Sequence, residues 1–526
     1  MRLRVEQRLR VTGMEINLLA KGEDSPQRLL IECKAHRDPI AAEVITKLIG
    51  NVTLRRADAG WLFSTSDLTK DGRGLWQEIQ DNPEHARLFT WYSPTRTLDV
   101  LIAQRSVIDP LCLTQSLANF EVGDWSLIVT PAGRFWLAEL LDEGVPTKYV
   151  VFDATNGALK TASDARTVAR ASPRYSSLQS IDLSRSPQSP QSRSQRVVVA
   201  RVIPGDSWND PRPARPADFV GRDDLLSEIA AFIEQVRTSQ TSTRSFAVLA
   251  PSGWGKSSLA LQLVKQADSE PIRSCSITAV DSRSASSASF VAEALRLAIR
   301  DASEKGAIDK NNKLRIQSLR EPLDSPDLKR ALDDLRKASW VVVLLFDQFE
   351  ELFSKESLFE VFNAVRDLSL DIDASQASLI LGFAWKTDVS LPQQHPAYHL
   401  WHQLADRRRS FRVSEFGPGE VAKVISKAER ATGNKLSKPL KSRLVEQCQG
   451  LPWLLKKLLV HVLQRVSTAE SQYLLLEREL KIELLFKEDL EQLQDEHIRC
   501  LKYIASRAPV AVAEVEENFS RDQTIT

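Results

Sequence analysis

Cysteine is scarce and scattered. Cys33, Cys112, Cys275, Cys448 and Cys500 are spread over 526 residues with no CxxC pair and no Cys/His spacing. That pattern excludes a disulfide framework and a zinc site, and leaves reduced thiols as the ordinary reading. Long apolar runs are missing as well: nothing approaches the roughly 18 uninterrupted residues of a membrane span, and the basic N-terminus leads into a polar, strand-like pattern and not into a signal peptide's apolar core. Nor is there excess charge of one sign. With 70 Lys and Arg against 69 Asp and Glu the formal net charge is +1, so any contact with nucleic acid has to come from a local patch. The expectation is a cytoplasmic protein without a membrane partner.

What is present is ordinary globular composition, 42% hydrophobic and 26% charged, in a chain too long for one core, which points to about two to four domains. Ser, Pro, Gln and Arg dominate residues 172–195, as in a solvated linker. Several prolines between 204 and 216 form a second hinge before an amphipathic helix begins near Asp218. Upstream, residues 4–20 and 28–34 read as extended segments around a turn at 21–25. A helix over 40–52 comes next, with Ala41, Val44, Ile45, Leu48, Ile49 and Val52 on one face, and then a strand over 61–65. Residues 105–171 contain strand-like runs at 125–130 and 148–153, a small β-containing module with no catalytic constellation.

Residues 246–250 form an apolar run suited to a buried parallel strand. Pro251-Ser252-Gly253-Trp254-Gly255-Lys256-Ser257-Ser258 comes next, and then an apolar helix. Strand, glycine-rich loop and helix together make a phosphate cradle. Glycines let backbone N–H groups curl around phosphate oxygens, the helix N-terminus adds partial positive charge, Lys256 reaches the β- and γ-phosphates, and Ser257 ligates Mg²⁺. Ala250 occupies the first glycine position of the usual pattern, at the strand end. The partner signal is the apolar run 340–346, ending in Asp347-Gln348-Phe349-Glu350-Glu351. Asp347 at the strand's carboxyl end can hold Mg²⁺ through water, and Glu350 or Glu351 can orient the water that attacks the γ-phosphate.

Asp218-Phe219-Val220-Gly221-Arg222, the phosphate loop, LLFDQFEELF, LILGFAWKTD and GLPWLLKKLL together resemble STAND-type signalling NTPases over roughly residues 216–516. The resemblance implies a core at 216–415, a helical lid at 416–495 and the start of a winged helix at 496–526. It implies that Arg222 lies near the nucleotide base, that Lys386 senses the γ-phosphate and that Pro452 contacts nucleotide from the lid. Lys386 stands where an arginine is expected, which turns a bidentate contact into a point charge. The trigger-sensing region of that family has no counterpart in these residues.

In the N-terminal part, Glu15, Asn17 and then Ile31-Glu32-Cys33-Lys34 have an acid-then-E-x-K layout. On a strand Glu32 and Lys34 share a face, where Glu32 can bind Mg²⁺ and Lys34 can stabilise phosphate charge or activate water. With the helix at 40–52 and GWLFSTS after it, residues 1–104 resemble Mrr-like restriction endonucleases of the PD-(D/E)xK class. That family places an acid at position 17 and a helix before the first strand. Here Asn17 removes a charge from the metal site, leaving Glu15 as the nearest acid, and the chain starts directly on the strand. Residues 406–412 are a local basic cluster, read as a solvated surface loop with a DNA-backbone or neighbouring-subunit contact as the alternative. The 470–493 stretch reads as lid packing.

The expected fold class is thus α/β: an endonuclease-like domain at 1–104, a β module at 105–171, a linker at 172–215, and a P-loop NTPase with lid and partial winged helix. The function implied by resemblance is an Avs-like antiviral switch. In it, ATP, Mg²⁺, a protein trigger and homo-oligomerisation, with a tetramer as one form, activate cleavage of double-stranded DNA. An ATP-driven restriction-type DNA motor and a non-enzymatic regulator with an inactive nuclease fold are the alternatives.

Overall fold

The computed structural model describes residues 3–11, 15–22, 28–34, 39–172, 178–183, 197–267, 274–309, 314–353, 358–387, 404–466 and 493–507, with a few isolated positions besides. It is built on three sheets.

The first sheet runs β1 (Leu3–Val11), β2 (Glu15–Gly22), β3 (Arg28–Lys34), β4 (Ala59–Ser64) and β5 (Phe89–Tyr92), in that spatial order. β1, β2 and β3 pair antiparallel, and β3, β4 and β5 pair parallel. The stretch 4–20, read from sequence as one extended segment, is therefore two strands folded back on each other. Their pairing is local in sequence, with Val11 opposite Glu15 and Leu3 opposite Gly22. Helix α1 (Ala42–Leu54) crosses over between β3 and β4. It buries Ile45, Leu48 and Val52 against Leu30, Leu62 and Phe89, the face foreseen from its spacing, while Ala41 is only its exposed cap. Helices α2 (Lys70–Asp81), α3 (Pro83–Leu88) and α4 (Pro94–Ala103) come next, each opened by a side-chain cap from Thr69, Asn82 and Ser93 respectively.

The second sheet is β6 (Glu121–Thr130), β7 (Gly133–Asp142), β8 (Val145–Asp153) and β9 (Gln179–Ser180), with helix α5 (Ala162–Ala169) beside it. β7 is one of the two inner strands and went unread in the sequence. One face, with Trp136, Ala138, Val150 and Phe152, packs on Leu113, Leu117 and α4. The other, with Phe135, Leu137, Tyr149 and Val151, shares a core with the helices of the third sheet. Backbone bonds from Asp124 N–H to Gln317 O (3.0 Å) and from Ile316 N–H to Gly144 O (2.8 Å) reinforce that junction. The β module and the NTPase-like α/β domain therefore share one hydrophobic interior.

The third sheet comprises β10 (Ser245–Ala250), β11 (Cys275–Asp281), β12 (Val341–Asp347), β13 (Leu379–Lys386) and β14 (Arg408–Arg412), all parallel, in the order β11-β12-β13-β10-β14. β12 is buried along its whole length because helices cover both faces. Val341, Val343 and Leu345 point to α6 (Asp223–Arg237) and α7 (Lys256–Ala267), whereas Val342, Leu344 and Phe346 point to α8 (Ser289–Glu304) and α10 (Phe359–Ser375), and α9 (Pro326–Lys337) joins the same core through Leu328, Ala331 and Leu335. Residues 408–412 are thus an edge strand and not a surface loop. Its Phe411 side chain is buried, and the Arg409 guanidinium lies over the Phe232 and Phe411 rings. Three helices, α11 (Pro418–Thr432), α12 (Lys438–Cys448) and α13 (Pro452–Arg465), pack into a separate small core. Helix α14 (Asp495–Arg507) carries residues 497–505 of the expected winged helix. The lid packing expected over 470–493 and the rest of the winged helix over 508–526 lie almost entirely outside the described residues.

Candidate functional site

β10, β12 and β13 all deliver their carboxyl ends to one cavity of about 300 Å³, the crevice where open α/β sheets bind ligands. Ala250 closes β10. Gly253 (φ 77°) and Gly255 (φ 89°) take the left-handed conformations that let the loop turn its amides inward before α7 begins at Lys256. Gly253 is further constrained because a Cβ there would sit 2.9 Å from the Trp453 Cβ. Lys256 is only 9% exposed, and its ammonium donates to the carbonyls of Ala250 and Pro251, both at 2.9 Å. Ser252, Gly253, Trp254, Ser257 and Ser258 line the same cavity.

Asp347 ends β12 at 3% exposure and accepts a hydrogen bond from the Ser257 hydroxyl. Burial raises its pKa, partly opposed by the Ser257 bond, and Asp281, its register neighbour on β11, pushes the same way as burial. Its Oδ1 is sealed from solvent with no hydrogen-bond partner. A buried, unsatisfied carboxylate oxygen beside a serine hydroxyl and a phosphate cradle is what a nucleotide-bound divalent cation completes, so these residues fit such an ion. Gln348 makes the next turn at φ 55°, and a short 3-10 helix, Phe349–Phe353, carries the two glutamates. They part company there. Glu350 is 7% exposed and lines the cavity, its Oε2 accepts the Lys386 N–H at 3.3 Å, and burial raises its pKa. Glu351 is not in the lining and lies in the field of Arg283, which is paired to Asp281.

The three-helix cluster α11–α13, which we term the lid, closes the opposite side. Pro452 begins α13 and lines the cavity, and the Trp453 N–H donates to Gly253 O at 3.1 Å, directly onto the phosphate loop. Arg222 sits at φ 66° as the cap of α6. Its backbone N–H donates to Glu420 Oε1 (3.1 Å), its guanidinium donates to Ser414 Oγ and Glu415 O, and its plane lies over Phe416. Burial lowers the Arg222 pKa. Lysines of the lid reach back to the core: Lys427 Nζ donates to the carbonyls of Ala217 and Phe219 (2.8 Å each) and Lys456 Nζ to Arg212 O (3.1 Å). Arg212, Arg222, Lys256, Lys386 and Lys456 against Asp218 and Glu350 make the lining net cationic, which suits a polyphosphate.

Sequence reasoning missed Gln348, Lys456 and the whole contribution of residues 207–214 to this lining. The last had a signal, since the proline-rich hinge abuts the 218–222 motif. From 197 onward the stretch read as linker is ordered against the core.

The E-x-K pair lies on a different sheet. Asn17 stands opposite Glu32 and Glu15 opposite Lys34 in the β2–β3 register, and the side chains of Glu15 and Asn17 lie outside the described set. Glu32 and Lys34 do share a face: Lys34 Nζ lies 3.2 Å from Glu32 Oε1, with each side chain 1% exposed. Ser64, the register partner of Lys34 on β4, accepts from Trp91 Nε1 at 2.9 Å. Cys33 points to the other face, where burial raises its thiol. Among the described residues no three His, Cys, Asp or Glu gather into a metal cluster, so the described side chains do not by themselves complete a cation site at Glu32. No described helix is long and apolar enough to cross a membrane.

No curated protein matches the chain. Among solved structures it is similar to the RuvB Holliday junction branch migration motor of Thermotoga maritima (13% identity, 59% of this chain and 85% of that one, TM-score 0.31). It is similar also to a Walker-type ATPase of Pyrococcus abyssi (16%, 61% and 89%, TM-score 0.39) and to domain III of the Thermotoga maritima replication initiation protein DnaA (14%, 52% and 93%, TM-score 0.28). Residues 3–84 match the family described as a restriction endonuclease, and residues 212–482, just over half of the 526, match Novel STAND NTPase 1. The chain therefore joins a restriction endonuclease domain to an NTPase, and belongs to the Novel STAND NTPase 1 family.

Proposed function

We propose that this protein is an ATP-switched, Mg²⁺-dependent endonuclease that cuts double-stranded DNA in cytoplasmic antiviral defence. The observation that carries the switch is the burial of the Glu32–Lys34 pair, each side chain 1% exposed and bonded to the other, in a chain whose second domain holds a nucleotide cavity. A scissile phosphate cannot reach a sealed pair, so cleavage needs a change that opens it, and the NTPase is the part of the chain able to drive one. On this reading residues 1–104 are the effector, 105–171 the connector, 216–415 the NTPase core, 416–495 the lid and 496–526 the start of a winged helix. ATP binds with its phosphates on Ser252, Gly253, Trp254, Gly255, Lys256, Ser257 and Ser258. Mg²⁺ is held by Ser257 and Asp347, Glu350 orients water, and Lys386 senses the γ-phosphate. Assembly of several copies, a tetramer being one arrangement, after a protein trigger brings together the centres needed to cut both strands.

A second reading has support of its own. Asn17, standing opposite Glu32, is uncharged, which weakens a metal site there and favours a regulator whose endonuclease fold binds DNA or protein without cutting. Plasmid cleavage with Mg²⁺ and ATP separates the two. Cutting by the native protein that is lost in both Lys34→Ala and Lys256→Ala establishes the switched nuclease. Tight ATP binding with no cutting in the presence of the trigger leaves the regulator.

A further inference from the structure

Residues 205–213 form a closed loop and not a tether. The Gly205 N–H donates to Pro213 O (2.9 Å), and the Asp210 carboxylate accepts the N–H groups of Asp206 and Arg212 (2.9 Å each) as well as the Arg212 guanidinium. A solvated linker keeps none of these bonds. Its two ends are fixed to the NTPase core. Upstream, the Val202 N–H donates to Ala279 O (3.1 Å), the Asp281 N–H to Ala200 O (2.8 Å), and Arg201 pairs with Asp301 through two bonds of 2.7 and 2.6 Å. Downstream, the Ala214 N–H donates to Ser258 Oγ (2.9 Å) in the first turn of α7, next to Ser257. From the other side Lys456 holds Arg212 O, and Trp208 packs on the lid core. The loop thus fills the gap between the phosphate-loop helix and the lid, and Trp208, Pro211 and Pro213 line the same cavity as Lys256 and Glu350.

We propose that loop 205–214 is a nucleotide-contacting wall of the site, with Trp208 packing on the base of the bound nucleoside triphosphate and setting its affinity. The inference rests on the reading of the cavity as a triphosphate site. A triphosphate commits its charged end to the loop at 252–258, which leaves the base for the remainder of the lining. There Trp208, Pro211, Phe219, Phe416 and Val424 offer the flat and apolar surface that an aromatic base selects. The consequence reaches beyond binding. The segment that carries this wall is also the one that leads along the chain from the N-terminal half into the NTPase, so a nucleotide contact there touches the covalent connection between them.

Hydrogen exchange on the full chain, with and without ATP and Mg²⁺, tests this. ATP is expected to slow exchange both in 251–258 and in 204–214, and to slow neither in Lys256→Ala. Trp208→Ala is expected to weaken ATP roughly tenfold, as loss of one base–aromatic stack does, while Trp208→Phe keeps most of the affinity. Protection confined to 251–258, with Trp208→Ala binding ATP like the native protein, overturns the proposal while leaving the triphosphate site intact. No protection in either segment overturns the triphosphate reading and this proposal with it.

Discussion

The backbone N–H of Arg222 donates to Glu420 Oε1 at 3.1 Å, while Oε2 of the same carboxylate accepts the Gly417 N–H at 2.9 Å. One side chain thus caps its own lid helix and grips the first helix of the core, so the lid's position is read directly at the segment beside the nucleotide cavity. Glu420→Ala removes both bonds. The expected outcome is nucleotide release faster by roughly tenfold, measured by stopped-flow displacement of a fluorescent ATP analogue.

Gly221→Ala attacks the same junction from the core side. At φ 69° a Cβ would sit 1.9 Å from Glu420 Oε1, so the new methyl and the Glu420 carboxylate cannot both stay in place, and the left-handed backbone is strained for alanine in any case. Destabilisation on the order of 1–3 kcal/mol is expected, seen as a lower melting temperature. A melting temperature equal to that of the native protein would show that the contact is not held in solution.

Lys256 donates to two loop carbonyls in this structure and lines the cavity at the foot of the phosphate loop. Lys256→Ala should weaken ATP by roughly a hundredfold, the value of one charge-assisted contact, with far less effect on adenosine. Calorimetric titration of both ligands reads the difference, and equal losses for the two would place the lysine outside phosphate binding.

The pKa values of Asp347 and Glu350 are both raised, chiefly by burial. The folded state therefore binds more protons than the unfolded chain between the ordinary carboxylate range near about 4 and the raised values. Stability of the nucleotide-free protein falls as pH rises through that window. Asp347→Asn should accordingly stabilise the apo protein at neutral pH by on the order of 1 kcal/mol, with the gain fading towards a pH of about 4, while abolishing Mg²⁺-dependent nucleotide binding. Urea unfolding at several pH values checks the sign.

Glu32 and Lys34 neutralise one another in a setting 1% exposed on each side. Lys34→Met leaves a buried carboxylate without its counter-charge and should cost about 3–5 kcal/mol, whereas Glu32→Leu combined with Lys34→Met should recover most of it. Thermal unfolding of the full chain, followed through the endonuclease transition, reads both variants. A double variant as unstable as the single one would mean that shape, and not charge pairing, governs the position.

The parts of this protein written into its sequence are those whose physics is local. The phosphate loop depends on glycine backbone freedom next to an apolar strand. The run at 341–347 is apolar up to its closing aspartate because both faces of β12 are covered, and the E-x-K side chains share a face because strand residues alternate. The core face of α1 is legible for the same kind of reason, its helical spacing. Family resemblance then supplied the order of the endonuclease and NTPase domains.

Tertiary structure alone decided the rest. Which of two adjacent glutamates enters the cavity depends on the turn made at Gln348, a positive φ that composition does not announce. The basic run at 408–412 became an edge strand because β10 offered an open edge far away in sequence. The proline-rich stretch before 216 became a wall of the site because Ser258 and Lys456, 44 and 244 residues from their partners, hold it there. Contacts across such separations depend on the whole chain having closed, and no window of neighbouring residues contains the information that sets them.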